Sequence, residues 1–391
     1  MKRLQSHLAL LFISLLFSPL LQAQSENAEL KFKLGGLVRF SYNNSSWKNA
    51  QQKRGGDLGN DCVGIKAKAD YGSLFLDAEY RFYSSASGGD FLKYGFMGYR
   101  FNEESTLRLG VVPVPFGNSG VNSNSFFYSV NYFIGLEDDY DAGISYSKEI
   151  DRWLFDVAFM KNAEDLSMSD LGDLNYSRFG YDVSSFSDAE GNLVYRNKET
   201  NHFNARAIYT LECANSTHEL GGSFLVGQLL NLDTQKMGSR MAWAAHYNGT
   251  AGRFNLKAEV AAYNYSAKNP TGQDADVIAM AAFGAPYLVA SEGVNYTIGL
   301  SYCLPVESKL FDSFTFYNDF GVMDKKVSSF ENSLMNVTGV LISAGPIYTY
   351  VDYALGKNQP WLGPQWSHAL AQGDTDATWH ARFNVNIGFY F

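Results

Sequence analysis

Six apolar side chains share one parity at the end of this chain, and no polar one joins them. Between His380 and Phe391, Ala381, Phe383, Val385, Ile387, Phe389 and Phe391 alternate with Arg382, Asn384, Asn386, Gly388 and Tyr390. A β-strand sends successive side chains to opposite faces, so this segment has one apolar face and one polar face. The chain stops on Phe391, an aromatic on a bare strand. In water such an edge would recruit other chains. A barrel in a bilayer uses both features, because closure pairs the last strand with the first and the apolar face meets acyl chains.

The same period recurs throughout. Phe32, Leu34, Val38 and Phe40 oppose Lys31, Lys33, Arg39 and Ser41, and Leu74, Leu76, Ala78 and Tyr80 oppose Asp77, Glu79 and Arg81. Met241, Trp243, Ala245 and Tyr247 oppose Arg240, His246 and Asn248. Sixteen such segments are legible; 91–101 is ambiguous in parity, and 142–149 and 336–343 are weaker. Connections after odd segments are long, near 43–60, 84–90, 114–140, 162–200, 229–236, 266–292, 325–333 and 357–379. Those after even segments are tight, as at Tyr71-Gly72 and Asp151-Arg152. This alternation predicts an all-β, 16-stranded antiparallel transmembrane β-barrel with long extracellular loops and short periplasmic turns.

The amino terminus carries a basic head, Met1-Lys2-Arg3, and an apolar run from Leu8 to Leu21, followed by Gln22-Ala23 and a polar stretch. This reads as a signal peptide over residues 1–23, cut after Ala23, with the barrel as a single domain over 24–391. No later stretch is long and apolar enough for a spanning helix. A mean hydropathy of −0.19 is what a barrel gives when lumenal polar residues dilute its lipid-facing ones. Cys62, Cys213 and Cys303 are odd in number and widely spaced, which reads as isolated strand thiols rather than a disulfide or metal site. No G-x-S-x-G, GxGxxG, P-loop or HExxH occurs, and the histidines stand singly, so the chain is not expected to be an enzyme or to carry a cofactor.

Several short motifs point to one family. Leu109-Gly110-Val111-Val112-Pro113-Val114-Pro115-Phe116-Gly117 resembles the strand end and Pro-Phe-Gly turn of the phosphate-selective porin O and P family. Asp138-Asp139-Tyr140-Asp141-Ala142-Gly143-Ile144 resembles the segment re-entering the next strand, and Ile347–Gly356 with the following Lys357–Gly363 resembles the family's penultimate strand and last loop. The Gln-rich cleavage region resembles exported proteins of Bacteroidetes-type bacteria. The family resemblance implies an outer-membrane, trimeric porin through which small hydrophilic or anionic solutes diffuse. It implies lipid and lipopolysaccharide as surroundings, the barrel-assembly machinery as the reader of Phe389 and Phe391, and no nucleic acid.

Sixteen strands enclose a lumen too wide for wall side chains to fill. The third long loop, about 114–140, is the candidate constriction, as the resemblance also implies, with Pro113, Pro115, Phe116, Gly117, Tyr128, Asp138 and Asp139 as its marked residues. Aromatics facing headgroups or a subunit interface are the alternative. Lys33, Arg39, Lys66, Lys68, Arg81, Arg108, Arg206, Arg240, Arg253, Lys257 and Arg382 fall on the lumenal parity and are the candidate pore lining. They slightly outnumber lumenal acids, which predicts at most a mild anion preference; mutual salt-bridging is the competing reading. Between Phe116 and Tyr140 there is no Lys or Arg, which argues against strong phosphate selectivity. The acidic residues of 163–200 read either as a solvated loop or as ligands for divalent cations. An adhesin or ligand receptor acting through the long loops is the alternative function.

Overall fold

The computed structural model describes residues 28–165, 176–188 and 190–391. The expected signal peptide over 1–23, and Asp170 and Asp173 of the acidic loop, lie outside the described residues. Sixteen antiparallel strands close into one barrel. They are β1 (Leu30–Ser45), β2 (Asp57–Tyr71), β3 (Leu74–Tyr83), β4 (Asp90–Asn102), β5 (Ser105–Pro113), β6 (Tyr140–Ile150), β7 (Trp153–Ala163) and β8 (Asn197–Cys213). The second half comprises β9 (Ser216–Asn231), β10 (Met237–Ala251), β11 (Phe254–Ser266), β12 (Glu292–Pro305), β13 (Ser313–Lys325), β14 (Ser333–Ala344), β15 (Ile347–Lys357) and β16 (His380–Tyr390). Each falls where the sequence period places it, the three weaker segments included, and the long and short connections alternate as expected. The strand ends run farther than alternation alone showed. β9 and β10, for example, extend until only 232–236 separates them.

The seam joins β1 to β16, from Leu37↔Tyr390 to Ser45↔Arg382. Beyond the strand, Gly36 N donates to Phe391 O at 2.8 Å and Phe391 N to Gly36 O at 3.0 Å. Pairing all sixteen strands in a ring leaves no open sheet edge, which hydrocarbon would not tolerate. Phe383, Ile387 and Phe389 are exposed on the outer face, whereas Asn384 and Asn386 are buried inside. The same holds for Phe155, Val157 and Phe159 on β7, outward with Asp156 inward. So continuous an apolar belt would be an aggregation surface in water and is matched to lipid. Trp153 and Tyr209, 5.0 Å apart between ring centres, stand at its rim on the side of the tight turns. The three cysteines are free.

A second core fills part of the lumen. Within the sixth loop, Val277–Ala282 pairs with Ala285–Ala290; the first strand is wholly buried and the second buries Tyr287, Val289 and Ala290. The two-residue connection is Phe283-Gly284, with φ of 50° and 76°. Positive φ at both central residues is the geometry whose twist matches a tight hairpin. This hairpin pairs with Asp182–Val183 of the fourth loop through Met280↔Val183 and bridges Leu370 of the eighth through Val289. The apolar run Val277–Ala282 lacks alternation because neither of its faces meets solvent.

Candidate permeation site

The third loop crosses the lumen. Its neck is drawn together where Val114 N donates to Asp139 O at 2.9 Å, and the prolines at 113 and 115 hold the entering chain extended. The loop then lies along the inner wall from β8 to β13. Buried backbone groups must find partners, and here the wall supplies them. Gly117 N donates to Ser223 Oγ at 3.0 Å, and Asn118 N to Glu259 Oε2 at 3.1 Å. Asn131 Nδ2 donates to Glu259 Oε1 at 2.9 Å, and Asn295 Nδ2 to Asn131 Oδ1 at 2.8 Å. Asp319 accepts from Asn124 N, Asn124 Nδ2 and Ser125 N, each at 2.8 Å. Lys257 Nζ caps Ser123 O at 3.0 Å, Tyr265 OH caps Ile134 O at 3.0 Å, and Tyr287 OH caps Phe133 O at 2.6 Å. Gly117 has φ +67°, and a Cβ there would sit 2.5 Å from Glu259 Oε2, so only glycine fits.

The tip reaches the opposite wall. Phe126 packs against Tyr350 at 6.0 Å between ring centres, and the Arg39 guanidinium lies 5.4 Å over its ring. Beside it a cavity of about 480 Å³ runs along β1 and β16. Its charged lining is Arg39, Arg81 and Arg382 against Asp61. Arg39 Nε pairs with Asp61 at 2.8 Å, and Arg81 Nε with Glu79 at 2.6 Å. Arg382 has no carboxylate within pairing distance among the described residues; it bonds Ser45 Oγ at 3.3 Å and lies 5.2 Å over Trp47. Aromatics from three further loops complete the lining: Phe179 and Tyr181, Phe283, and Trp361.

The other sequence-selected residues scatter around this aperture. Lys33 is exposed low on β1, Lys66 pairs with Glu79 at 3.2 Å, and Lys68 with Asp77 at 3.0 Å. Arg108 bonds Ser147 Oγ at 2.8 Å, and Arg206 pairs with Asp156 at 2.8 Å. Two residues expected to line the pore do not. Arg240 is completely buried beneath the third and fourth loops, paired with Glu199 at 2.7 Å and donating to Gly135 O at 3.1 Å. Arg253 sits in the exposed turn between β10 and β11, because β10 ends at Ala251 and β11 begins only at Phe254. Within the loop, Pro115 and Phe116 are buried, and Asp138 accepts from Tyr128 OH at 3.0 Å and Tyr140 OH at 2.7 Å. Asp139 turns the other way, into a buried acidic cluster.

Lys93 was missed. Its Nζ pairs with Asp138 at 3.0 Å and lies 4.1 Å from the Phe179 ring centre. The register of β3 on β4 slips between Glu79↔Tyr94 and Tyr80↔Leu92, so Lys93 is the extra residue and points inward. That bulge is also why the parity of 91–101 was ambiguous.

Glu137 anchors the loop from within, accepting from Asn122 N at 2.8 Å, Ser129 N at 3.0 Å and the Ser129 hydroxyl. Burial pushes its carboxyl up to about 7 despite these donors, and neighbouring Asp138 adds to the rise. Glu259 and Lys257 face it from β11. Because the folded value exceeds the ordinary 4.5, its contribution is complete below that value and lost as pH rises through about 7. Channel current noise in bilayers is therefore expected to grow between roughly pH 6 and pH 8, while Glu137→Gln shows a flat profile. An unchanged slope in the variant would assign the effect elsewhere.

No family model matches the sequence, and no curated protein does. Among solved structures, the fold is similar to the outer membrane channel DcaP of Acinetobacter baumannii, at 12% identity and a TM-score of 0.57, covering 94% of this chain and 99% of that one. It is similar to an anion-selective porin from Comamonas acidovorans, at 13% identity and a TM-score of 0.57, covering 93% and 100%. The trimer form of OmpT, an outer membrane protein of Vibrio cholerae, shares 12% identity at a TM-score of 0.50, covering 93% and 99%. Identities this low establish a shared fold: the chain has the closed 16-stranded barrel of outer-membrane porins.

Proposed function

We propose that the protein is an outer-membrane channel through which small hydrophilic solutes diffuse passively, anions ahead of cations. One observation carries this reading: the cavity beside the third loop presents three arginines against one aspartate, and Arg382 has no acidic partner among the described residues. Rings of like charge at a narrow point bias passage by sign. The third loop is the constriction in this reading, and it offers a permeating anion aromatic rings and amides but no Lys or Arg. The preference we assign is accordingly general, without the strong phosphate selectivity of the resembled family. Lipid and lipopolysaccharide surround the belt, the assembly machinery reads Phe389 and Phe391, and the assembly is a homotrimer.

Planar-bilayer recording of the folded protein tests this. Stepwise conductance with a reversal potential of anion sign in a salt gradient is expected. A folded barrel that gives no steps would favour a receptor acting through the loops, and strong cation selectivity would end the anion reading. Cross-linking in detergent that yields only monomer would remove the trimer.

A further inference from the structure

Behind the third loop, away from the cavity, five carboxylates converge in a buried pocket. Asp139 and Asp141 stand at the start of β6, Glu164 and Asp182 belong to the fourth loop, and Glu199 lies on β8. All five are buried, none more than 8% exposed. Two arginines accompany them: Arg178 Nη1 pairs with Asp182 at 3.2 Å and Arg240 Nη1 with Glu199 at 2.7 Å. Apart from Arg178, no lysine or arginine among the described residues comes within pairing distance of Asp139, Asp141 or Glu164; His202 Nδ1 is 3.9 Å from Asp141. If all five are ionised, three negative charges stay uncompensated.

The unpartnered atoms point to what is missing. Both carboxylate oxygens of Asp139 and both of Asp141 are buried without a hydrogen-bond partner, and Oδ1 of Asp182 and Oε2 of Glu164 find no donor, their two side chains meeting each other. Buried polar atoms seldom stay unpaired, and acceptor oxygens gathered without donors call for a cation or for protons. Ligand oxygens of Asp139, Asp141 and Asp182 lie within 4.8 Å of one another, a separation that one ion with bonds of about 2.3–2.6 Å can span. Glu164 stands beside the set, its Oε1 accepting from Gly180 N at 2.9 Å. A neighbouring set, Asp141, Glu199 and His202, is equally close, but both Glu199 oxygens are taken, Oε1 by Arg240 at 2.7 Å and Oε2 by Val183 N at 3.0 Å, whereas Asp182 meets Arg178 only through Oδ2.

We propose that Asp139, Asp141 and Asp182 bind one calcium ion that ties the fourth loop to the exit of the third and to the barrel wall. Oxygen-only, carboxylate-rich, protein-enclosed coordination suits this hard and geometrically tolerant ion better than magnesium, which keeps its waters. The ion reduces the uncompensated charge from three to one. The site stands whatever solute the channel passes. The carboxylates must be ionised to hold the ion, so binding weakens as pH falls.

Calorimetric titration of the full folded barrel in detergent, stripped with EDTA, tests the proposal with Ca²⁺ alone as probe. One ion per chain is expected, with a rise in the temperature at which the barrel loses its heat-modifiable gel mobility. Asp141→Asn should weaken binding tenfold or more and abolish that rise; Asp139→Asn serves as the same-size alternative if the first variant does not assemble. Asp188→Asn, whose carboxylate is bonded by Asn192 within its own turn, should bind as the wild type does. Wild-type protein that takes up no calcium overturns the proposal, since protons then neutralise the cluster. So does undiminished binding by an assembled Asp139 or Asp141 variant, or loss of binding with Asp188→Asn.

Discussion

Replacing Arg382 with glutamate is expected to invert the ion preference of the channel. Arg382 is the lining arginine with no carboxylate in pairing distance, so the change swings the aperture by two charges with no bridge to break. Two charges in water at contact interact by ~1 kcal/mol at 4 Å, so this reversal is worth about 2 kcal/mol before screening. Salt near 0.1 M, with a Debye length of about 10 Å, trims the effect on a permeating ion only partly. A fall of roughly tenfold in the anion-to-cation permeability ratio follows, since 1.4 kcal/mol is one decade. Arg39→Glu should do less for selectivity and more harm to assembly, because it leaves Asp61 facing a second carboxylate in place of a partner at 2.8 Å. Reversal potentials under a salt gradient give the comparison, and equal ratios for wild type and Arg382→Glu would remove the aperture from its proposed role.

Asp319→Ala is expected to release the tip of the third loop and raise the single-channel conductance. One carboxylate accepts three donors, the amides of Asn124 and Ser125 and the Asn124 side chain. Hydrogen bonds to a charged group contribute about 1.5–3 kcal/mol each, so losing three costs several kcal/mol even if water recovers part of it. Of the tip's other holds, Lys257 Nζ caps Ser123 O on that side, while Phe126 meets Tyr350 and the Arg39 guanidinium across the cavity. Conductance should rise about twofold, with flickering between levels, while heat-modifiable migration shows the wall intact because Asp319 projects inward from a complete ladder. Asp319→Asn, which keeps one acceptor oxygen, should fall between the two. A variant as quiet and narrow as the wild type would show that Glu259, Glu137 and the apolar packing hold the loop unaided.

Both expectations depend on residues whose type, but not whose partners, the sequence displays. Lys257 and Glu259 stand two residues apart on one face of β11, yet each turns to the loop instead of to the other: Lys257 caps Ser123 O, and Glu259 receives Asn118 and Asn131. The bridge of Lys68 to Asp77, by contrast, lies between neighbouring strands in simple register and was foreseeable. Cross-strand partners follow from alternation and turn length, which are local. Partners that meet across the lumen are separated by a hundred residues or more, and no period in the sequence relates them. Lys93 and Arg240 fail for this kind of reason, one through a bulge that flips parity and the other through loops that bury the wall.

The sixth loop is intermediate. Ala279-Met280-Ala281-Ala282-Phe283-Gly284-Ala285-Pro286-Tyr287 is an apolar run around a turn dipeptide, a pattern that a buried hairpin produces. Passing over it as connection left the lumen looking emptier than it is.

Sequence alone determined the barrel: sixteen segments, their order, the lipid-facing parity and the long-and-short rhythm of the connections. It could do so because the bilayer imposes one rule on every strand, apolar outward with every edge paired, and a rule applied sixteen times is readable even where single segments are weak. Tertiary structure alone decided where the third, fourth, sixth and eighth loops go, which wall they cover, which arginines face the remaining cavity, and that five acids share a buried pocket. Those outcomes hang on single long-range contacts satisfying buried polar groups, each made once, and nothing repeats along the chain to announce them.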